Sequence, residues 1–247
     1  MKKIILSFAV LVFLCADLSA AELKIMSYNI RNGKLLTGTE IVLEEPAKIV
    51  LGVDPDIAGI QELDWHVTRS DQRDIPDEFG KLCKMKSYFA PAIDFQGGKY
   101  GVGTLTKGEP IRAYNIPLPG AEEQRTLQVL EFEDYVFFCT HFSLTAASQA
   151  ESVPIINAEA KKFTGKPIFI VGDFNAYPNS TTIQEMQKTW RILTPDEYTF
   201  PASDPTIRID YVMTWKETGA NVEVLEAEVV DAPSQSDHRP IFVKVKF

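Results

Sequence analysis

The chain has 247 residues, of which 45% are hydrophobic and 24% charged, with a formal net charge of −9. This is the composition of a folded globular protein, and it excludes a disordered or low-complexity chain. The acidity, with no basic run longer than two residues, argues against a broad basic surface for nucleic acid.

The N-terminus reads first as an address. Lys2-Lys3 is followed by an apolar run from Ile4 to Cys15 and by the small residues Ser19, Ala20 and Ala21. That order is a secretory signal over residues 1–20, and the run is too short to span a bilayer. The expected location is therefore periplasmic or extracellular. Lipoprotein processing at Cys15 is the lesser alternative, because Leu14 stands where a small residue is usual. Losing Lys2, Lys3 and Asp17 leaves residues 21–247 with a charge of −10. No later segment is apolar enough to cross a membrane. Cys83 and Cys139 remain, and two cysteines in a large domain do not announce a disulfide. Cys139, inside the apolar Val136-Phe137-Phe138-Cys139, reads as a buried thiol.

From Leu23 the chain predicts a strand ending in Tyr28-Asn29. Glu40 to Leu51 has helical spacing. Ile57 to Ile60 is a short buried strand running into Gln61-Glu62, and polar residues 63–75 read as a surface loop that includes His66. Pro76 to Lys84 predicts a proline-opened helix. Short β-like runs follow at 87–92, 101–106, 111–116, 126–132 and 135–141, split by Gly, Pro and acidic turns. Helices are expected over 145–163, where Pro154 starts or kinks part of the helix, and over 180–190. Strands are expected at 168–171, 209–213, 222–230 and 241–246. No linker divides the chain, so residues 21–247 read as a single α/β (α+β) domain, with two mixed sheets packed together and helices outside.

Polar motifs sit at the ends of these apolar runs: Ser27-Tyr28-Asn29, Gln61-Glu62, Thr140-His141, Gly172-Asp173-Phe174-Asn175, Asp210 and Ser236-Asp237-His238. Polar groups delivered by buried strand ends converge on one edge of a sheet. The set holds carboxylates, carboxamides and two histidines, without a nucleophilic Ser or Cys. That inventory suits a hard divalent cation and an activated water. Each piece also has a plainer reading. Asp173 and Asn175 on extended backbone point to one side, yet Asp-x-Asn also makes ordinary Asx turns. Glu62 and Asn29 alone read as a solvated acid and a turn former. His141 and His238 alone read as structural histidines, although Asp210 is available to orient an imidazole.

In their order along the chain these motifs resemble the endonuclease/exonuclease/phosphatase superfamily, over nearly all of the chain from Ser27 onward. Gly172-Asp173-Phe174-Asn175-Ala176 and Ser236-Asp237-His238-Arg239-Pro240 carry the resemblance. It implies a DNase I-like four-layer sandwich and a Mg²⁺- or Mn²⁺-dependent phosphoric ester hydrolase. By the same resemblance Glu62 is the principal metal ligand, with Asn29 and Asp237 nearby. His141 contacts the phosphate, Asp173 and Asn175 position the water, and Asp210 and His238 form a second His–Asp pair. Tyr100 resembles a phosphoryl-binding tyrosine. Arg69, in Thr68-Arg69-Ser70-Asp71-Gln72, is a substrate-phosphate contact or a plain surface arginine. The carboxylate partner of His141 has no clear match; Asp71 and Asp94 are candidates.

Substrate choice is less constrained. Negative charge and short insertions favour a small phosphodiester or phosphomonoester over DNA or RNA, which remains the alternative. No apolar hairpin for a lipid surface stands out. An inert binding module that kept the fold is the alternative of another class, and a monomer is the expected state.

Overall fold

The computed structural model describes residues 21–247; the expected signal segment lies outside the described residues. Twelve strands form two six-stranded sheets. The first is built from β1 (Glu22–Asn29), β2 (Ile57–Trp65), β3 (Lys86–Phe95), β4 (Gly98–Thr106), β11 (Glu223–Val229) and β12 (Ile241–Lys246). Its strand order is β11-β12-β1-β2-β4-β3. The second holds β5 (Arg112–Leu118), β6 (Arg125–Glu131), β7 (Val136–His141), β8 (Ile168–Asp173), β9 (Trp190–Ile192) and β10 (Asp210–Trp215). Its order is β5-β6-β7-β8-β10-β9.

Each sheet has one parallel pair at its centre, β1 with β2 and β7 with β8; every other pairing is antiparallel. A parallel pair needs a crossover. Here α1 (Glu44–Val53) makes the first and α3 (Ala146–Ala160) the second. Helices α2 (Ile75–Cys83) and α4 (Thr181–Thr189) complete the outer layers.

Period-two burial builds the layers. On β8, Phe169 and Val171 enter a core shared with Ile25, Ile57 and Val243 of the first sheet. Ile168 and Ile170 face the other way, into a core with Ile156, Ile183 and Met186 from α3 and α4. A third core sets Met26, Tyr28 and Ile60 against Ala47, Val50 and Phe79 from α1 and α2. The result is the expected four-layer sandwich, helices outside two face-to-face sheets. Each buried Phe, Ile or Val contributes about 1.5–3 kcal/mol by leaving water.

The helix starts follow local chemistry. Asp74 caps α2 by accepting the Asp77 amide at 3.1 Å, and Ser180 caps α4 by accepting the Ile183 amide at 3.2 Å. Helix α3 runs through Pro154 without ending there. Residues 63–65, expected as loop, continue β2: a bulge between Ile60 and Leu63 lets the strand pair with β4 as far as Trp65. The three-residue β9 was too short to show in the sequence pattern. Cys83 and Cys139 are free and buried. Burial pushes both thiols up to about 12, which keeps them protonated and inert.

Candidate active site

The two parallel pairs end on the same side of the sandwich. Asn29 closes β1, Glu62 lies in the β2 bulge, His141 closes β7 and Asp173 closes β8. Asp210 opens β10 directly opposite Asp173 in the ladder. Ser236-Asp237-His238 approaches from the loop before β12 and is tied down where Ser236 Oγ donates to the Asn29 carbonyl at 2.7 Å. The carboxyl ends of parallel strands thus collect groups that lie up to 209 positions apart in the chain.

Asn29 joins the sheets. Its Nδ2 donates to Glu62 Oε1 at 3.0 Å and to Asp173 Oδ2 at 3.2 Å. Asp173 is 1% exposed, and its Oδ2 lies 3.4 Å from His141 Nε2 and 3.5 Å from His238 Nε2. Burial and the Asp210 charge raise its carboxyl to about 7, against the pull of His238. His238 Nδ1 meets Asp210 Oδ2 at 3.0 Å, and Asp210 is held in turn by the Thr199 hydroxyl at 2.5 Å. Burial works against the imidazolium, but the Asp210 and Asp173 carboxylates outweigh it and lift His238 to about 10.

His141 is a different kind of histidine. Burial and the Arg125 guanidinium hold it well below the usual range, so it is neutral. Asn175 Nδ2 donates to the Phe142 carbonyl at 3.0 Å and meets His141 Nε2 at 3.0 Å. The first bond fixes the amide orientation, so Nε2 is the acceptor of the second. Neither Asp71 nor Asp94 partners this ring: Asp71 is exposed, and Asp94 pairs with Lys99 at 2.5 Å. The extended backbone expected from Asp173 to Asn175 is also corrected. Asn175 has φ +46, and its N–H donates to Asp173 Oδ1 at 2.9 Å, so the pair sits in a tight Asx-type turn. Glu62 at φ +62 and Arg31 at +50 share this left-handed strain. Strain of this kind is held by surrounding structure and concentrates at functional sites.

Arg69 is not a free surface arginine. Its Nε and Nη2 grip buried Asp64 at 2.9 and 2.7 Å, and its plane lies 4.6 Å from the Phe95 ring centroid and 5.2 Å from that of Tyr100. Tyr100 lines a narrow space with His141 and Arg125. Arg125 is the principal residue that sequence reasoning missed. It is 5% exposed, held by Glu122 at 3.1 Å and Glu123 at 3.0 Å, and its Nε has no partner among the described residues. A lone arginine opening the apolar run Thr126–Leu130 was the available signal. Asp237 stands at the rim, 3.7 Å from Arg31.

Two donor sets suit a cation. Ligand atoms of Asp173, Asp210 and His238 lie within 4.8 Å of one another. The other is Glu62 with Asp237; Asn29 turns its Nδ2 to Glu62, while its Oδ1 accepts the Arg31 N–H at 3.0 Å. Burial raises the Glu62 carboxyl, Asp237 raises it further, and Oε2 accepts no hydrogen bond among the described residues. An acid so placed is short of positive charge.

The family model described as Endonuclease/Exonuclease/phosphatase family matches residues 26–238. No curated protein sequence matches the chain. Among solved structures, an endonuclease/exonuclease/phosphatase from Beutenbergia cavernae superposes with a TM-score of 0.75 at 16% identity, over 92% of this chain and 72% of that one. The mannosyl-6-phosphatase of Bacteroides thetaiotaomicron gives 0.73 at 16% identity, over 91% and 100%. The human Nocturnin catalytic domain, with a bound sulfate anion, gives 0.66 at 15% identity, over 91% and 94%. At these identities the likeness is one of fold.

Proposed function

The chain belongs to the endonuclease/exonuclease/phosphatase family, and from that premise we propose that it hydrolyses small phosphate esters by attack of water on phosphorus. The observation that carries this reading is the convergence of Asn29, Glu62, His141, Asp173, Asp210 and His238 on one end of the sandwich. None of these six carries a hydroxyl or thiol, and the neighbouring Ser236 and Thr199 hydroxyls are committed to Asn29 and Asp210. Water is then the nucleophile that the inventory leaves.

Glu62 and Asp237 offer the oxygen ligands suited to Mg²⁺ or Mn²⁺, and Asn29 orients Glu62 through its Nδ2. When bound, the cation neutralises charge on a phosphoryl oxygen. The tighter Asp173–Asp210–His238 cluster is better filled by the imidazolium itself, since both ring nitrogens already face carboxylates. In that arrangement Asp173 accepts the proton of the attacking water, and Asn175 fixes Asp173 through its N–H. His238, held by Asp210, keeps a positive N–H toward the phosphoryl oxygens. Tyr100 and the free Nε of Arg125 supply further donors around them, while neutral His141 takes the Asn175 amide on its Nε2. Arg69, clamped on Asp64, presents a fixed guanidinium beside Tyr100. The leading twenty residues add export to the proposal; intact protein from the host should lack them by mass.

Purified residues 21–247 should hydrolyse bis-p-nitrophenyl phosphate or p-nitrophenyl phosphate with Mg²⁺ or Mn²⁺, and EDTA should abolish turnover. Preference for plasmid DNA or RNA in the same screen would replace the small-ester reading. Inactivity on these and on sphingomyelin and inositol phosphates would leave the inert-module reading.

A further inference from the structure

We propose that Leu144 and Tyr177 form an apolar subsite beside the reacting centre, which takes a flat or branched hydrophobic group of the ester substrate. Leu144 follows His141 by three positions and is 69% exposed; Tyr177 follows Asn175 by two and is 51% exposed. Single exposed apolar residues are ordinary. These two differ because both stand on loops that leave the strand ends carrying His141 and Asp173, and because both backbones are held rigid.

Buried Gln149 ties the loops together. Its Nε2 donates to the Ser143 carbonyl at 2.8 Å and to the Asn175 carbonyl at 2.9 Å. Beneath them the Phe142 and Phe174 rings pack with centroids 4.7 Å apart. The Leu144 N–H donates to Glu122 at 2.7 Å, and the same carboxylate accepts the Ser143 hydroxyl at 2.7 Å and the Thr145 hydroxyl at 3.1 Å. On the other loop, the Tyr211 hydroxyl donates to the Ala176 carbonyl at 2.9 Å, and Ser180 N–H donates to the Tyr177 carbonyl at 2.9 Å. Pro178 restricts Tyr177 further. Fixing these loops in advance lowers the entropy lost when a ligand settles on them. The phosphoryl-facing groups are polar and charged, and Leu144 and Tyr177 are the exposed apolar side chains on the two loops that leave the strand ends carrying His141 and Asp173.

This inference rests on the hydrolase reading for its location, and the test separates the two. Leu144→Ser, Tyr177→Ser and the double variant are compared with wild type on an aryl and a small hydrophilic ester of each kind: p-nitrophenyl phosphate against 2-glycerophosphate, and bis-p-nitrophenyl phosphate against glycerophosphocholine. Ile111→Ser, altering an exposed apolar residue at the opposite end of the second sheet, is the control. The expected result is a roughly tenfold fall in kcat/KM on the aryl esters, carried by KM, with less than twofold change on the hydrophilic ones. Equal losses on both, or none, would overturn the subsite. A second readout needs no turnover. Metal-supplied wild type should bind phenylphosphonate at least tenfold more tightly than methylphosphonate, and the double variant should lose that preference. Equal affinity for the two phosphonates would overturn the subsite even in an active enzyme. If wild type cleaves no ester, the hydrolase reading falls, and the phosphonate preference alone decides the subsite. Apolar residues that serve a membrane instead would be revealed by vesicle sedimentation lost in the double variant with the aryl preference unchanged, which also overturns the proposal.

Discussion

At the residue scale, Asp210 and His238 form one hydrogen-bonded pair. Their motifs lie 28 positions apart, and the fold brings them to 3.0 Å. Asp210→Asn and His238→Ala should each lower kcat by roughly 10²-fold or more, as for general acid/base groups. The double variant should lose little beyond the worse single, because residues working as a unit are not additive. Steady-state rates on a verified ester check this, and full activity in Asp210→Asn would refute it. The same pair gives a pH signature in stability. His238 titrates near 10 in the folded chain against 6.5 without its partners. A raised folded value means that its stabilisation is complete below pH 6.5 and fades as pH rises from there through 10. In chelator, the gap in Tm between wild type and Asp210→Asn should be widest near pH 6 and should close above pH 10. Glu62 gives the complementary test. Mg²⁺ should raise the wild-type Tm, since a ligand that binds only the folded state stabilises it. Glu62→Gln should largely lose that shift, and an undiminished shift would move the cation to another set of donors.

At the scale of elements, much of the candidate site was legible because most of its side chains end or interrupt an apolar run. Asn29, His141 and Asp173 all close strands whose burial pattern is plain in the sequence. What was not legible required contacts between elements. Glu62 appeared to leave its strand, since a two-residue bulge looks like a loop when the partner strand is unknown. Arg125 carries no motif of its own, and only the fold sets it beside His141. The missing partner of His141 was sought among acids, whereas its ring is served by the Asn175 amide. Gly59 shows the same limit. In sequence it is a weak point in a strand, yet a Cβ there would meet Val171 Cγ2 at 2.3 Å and Cys139 Sγ at 2.9 Å across the sheet interface. Gly59→Ala should therefore cost about 1–3 kcal/mol by forcing the sheets apart, although alanine suits a strand better than glycine. Denaturant melts would show it as a lowered midpoint; an unchanged midpoint would mean that the two sheets give way easily.

At the scale of the whole molecule, charge separates the two substrate readings. The chain is acidic overall, at −9, yet it places Arg31, Arg69 and Arg125 around the strand ends that hold the candidate site. A small anionic ester approaching this molecule meets a repulsive outer field, and the guanidiniums, each beside a carboxylate, act on it only at short range. Added salt screens the outer field first, over about 10 Å at 0.1 M. Tightly held groups inside the site are screened much less. For a small ester, kcat/KM should thus hold steady or rise modestly between 20 and roughly 200 mM salt. A chain that grips a polynucleotide along several phosphates behaves in the opposite way, because each neutralised phosphate releases counterions and affinity falls steeply over the same range. Measuring kcat/KM against ionic strength at fixed free Mg²⁺, for bis-p-nitrophenyl phosphate and for an oligonucleotide, distinguishes the two. A flat or rising line for the small ester together with weak oligonucleotide turnover supports the small-ester reading. A steep fall on an oligonucleotide that is cleaved faster than the small ester would establish a nuclease, with the basic residues around the strand ends continuing into a phosphate track.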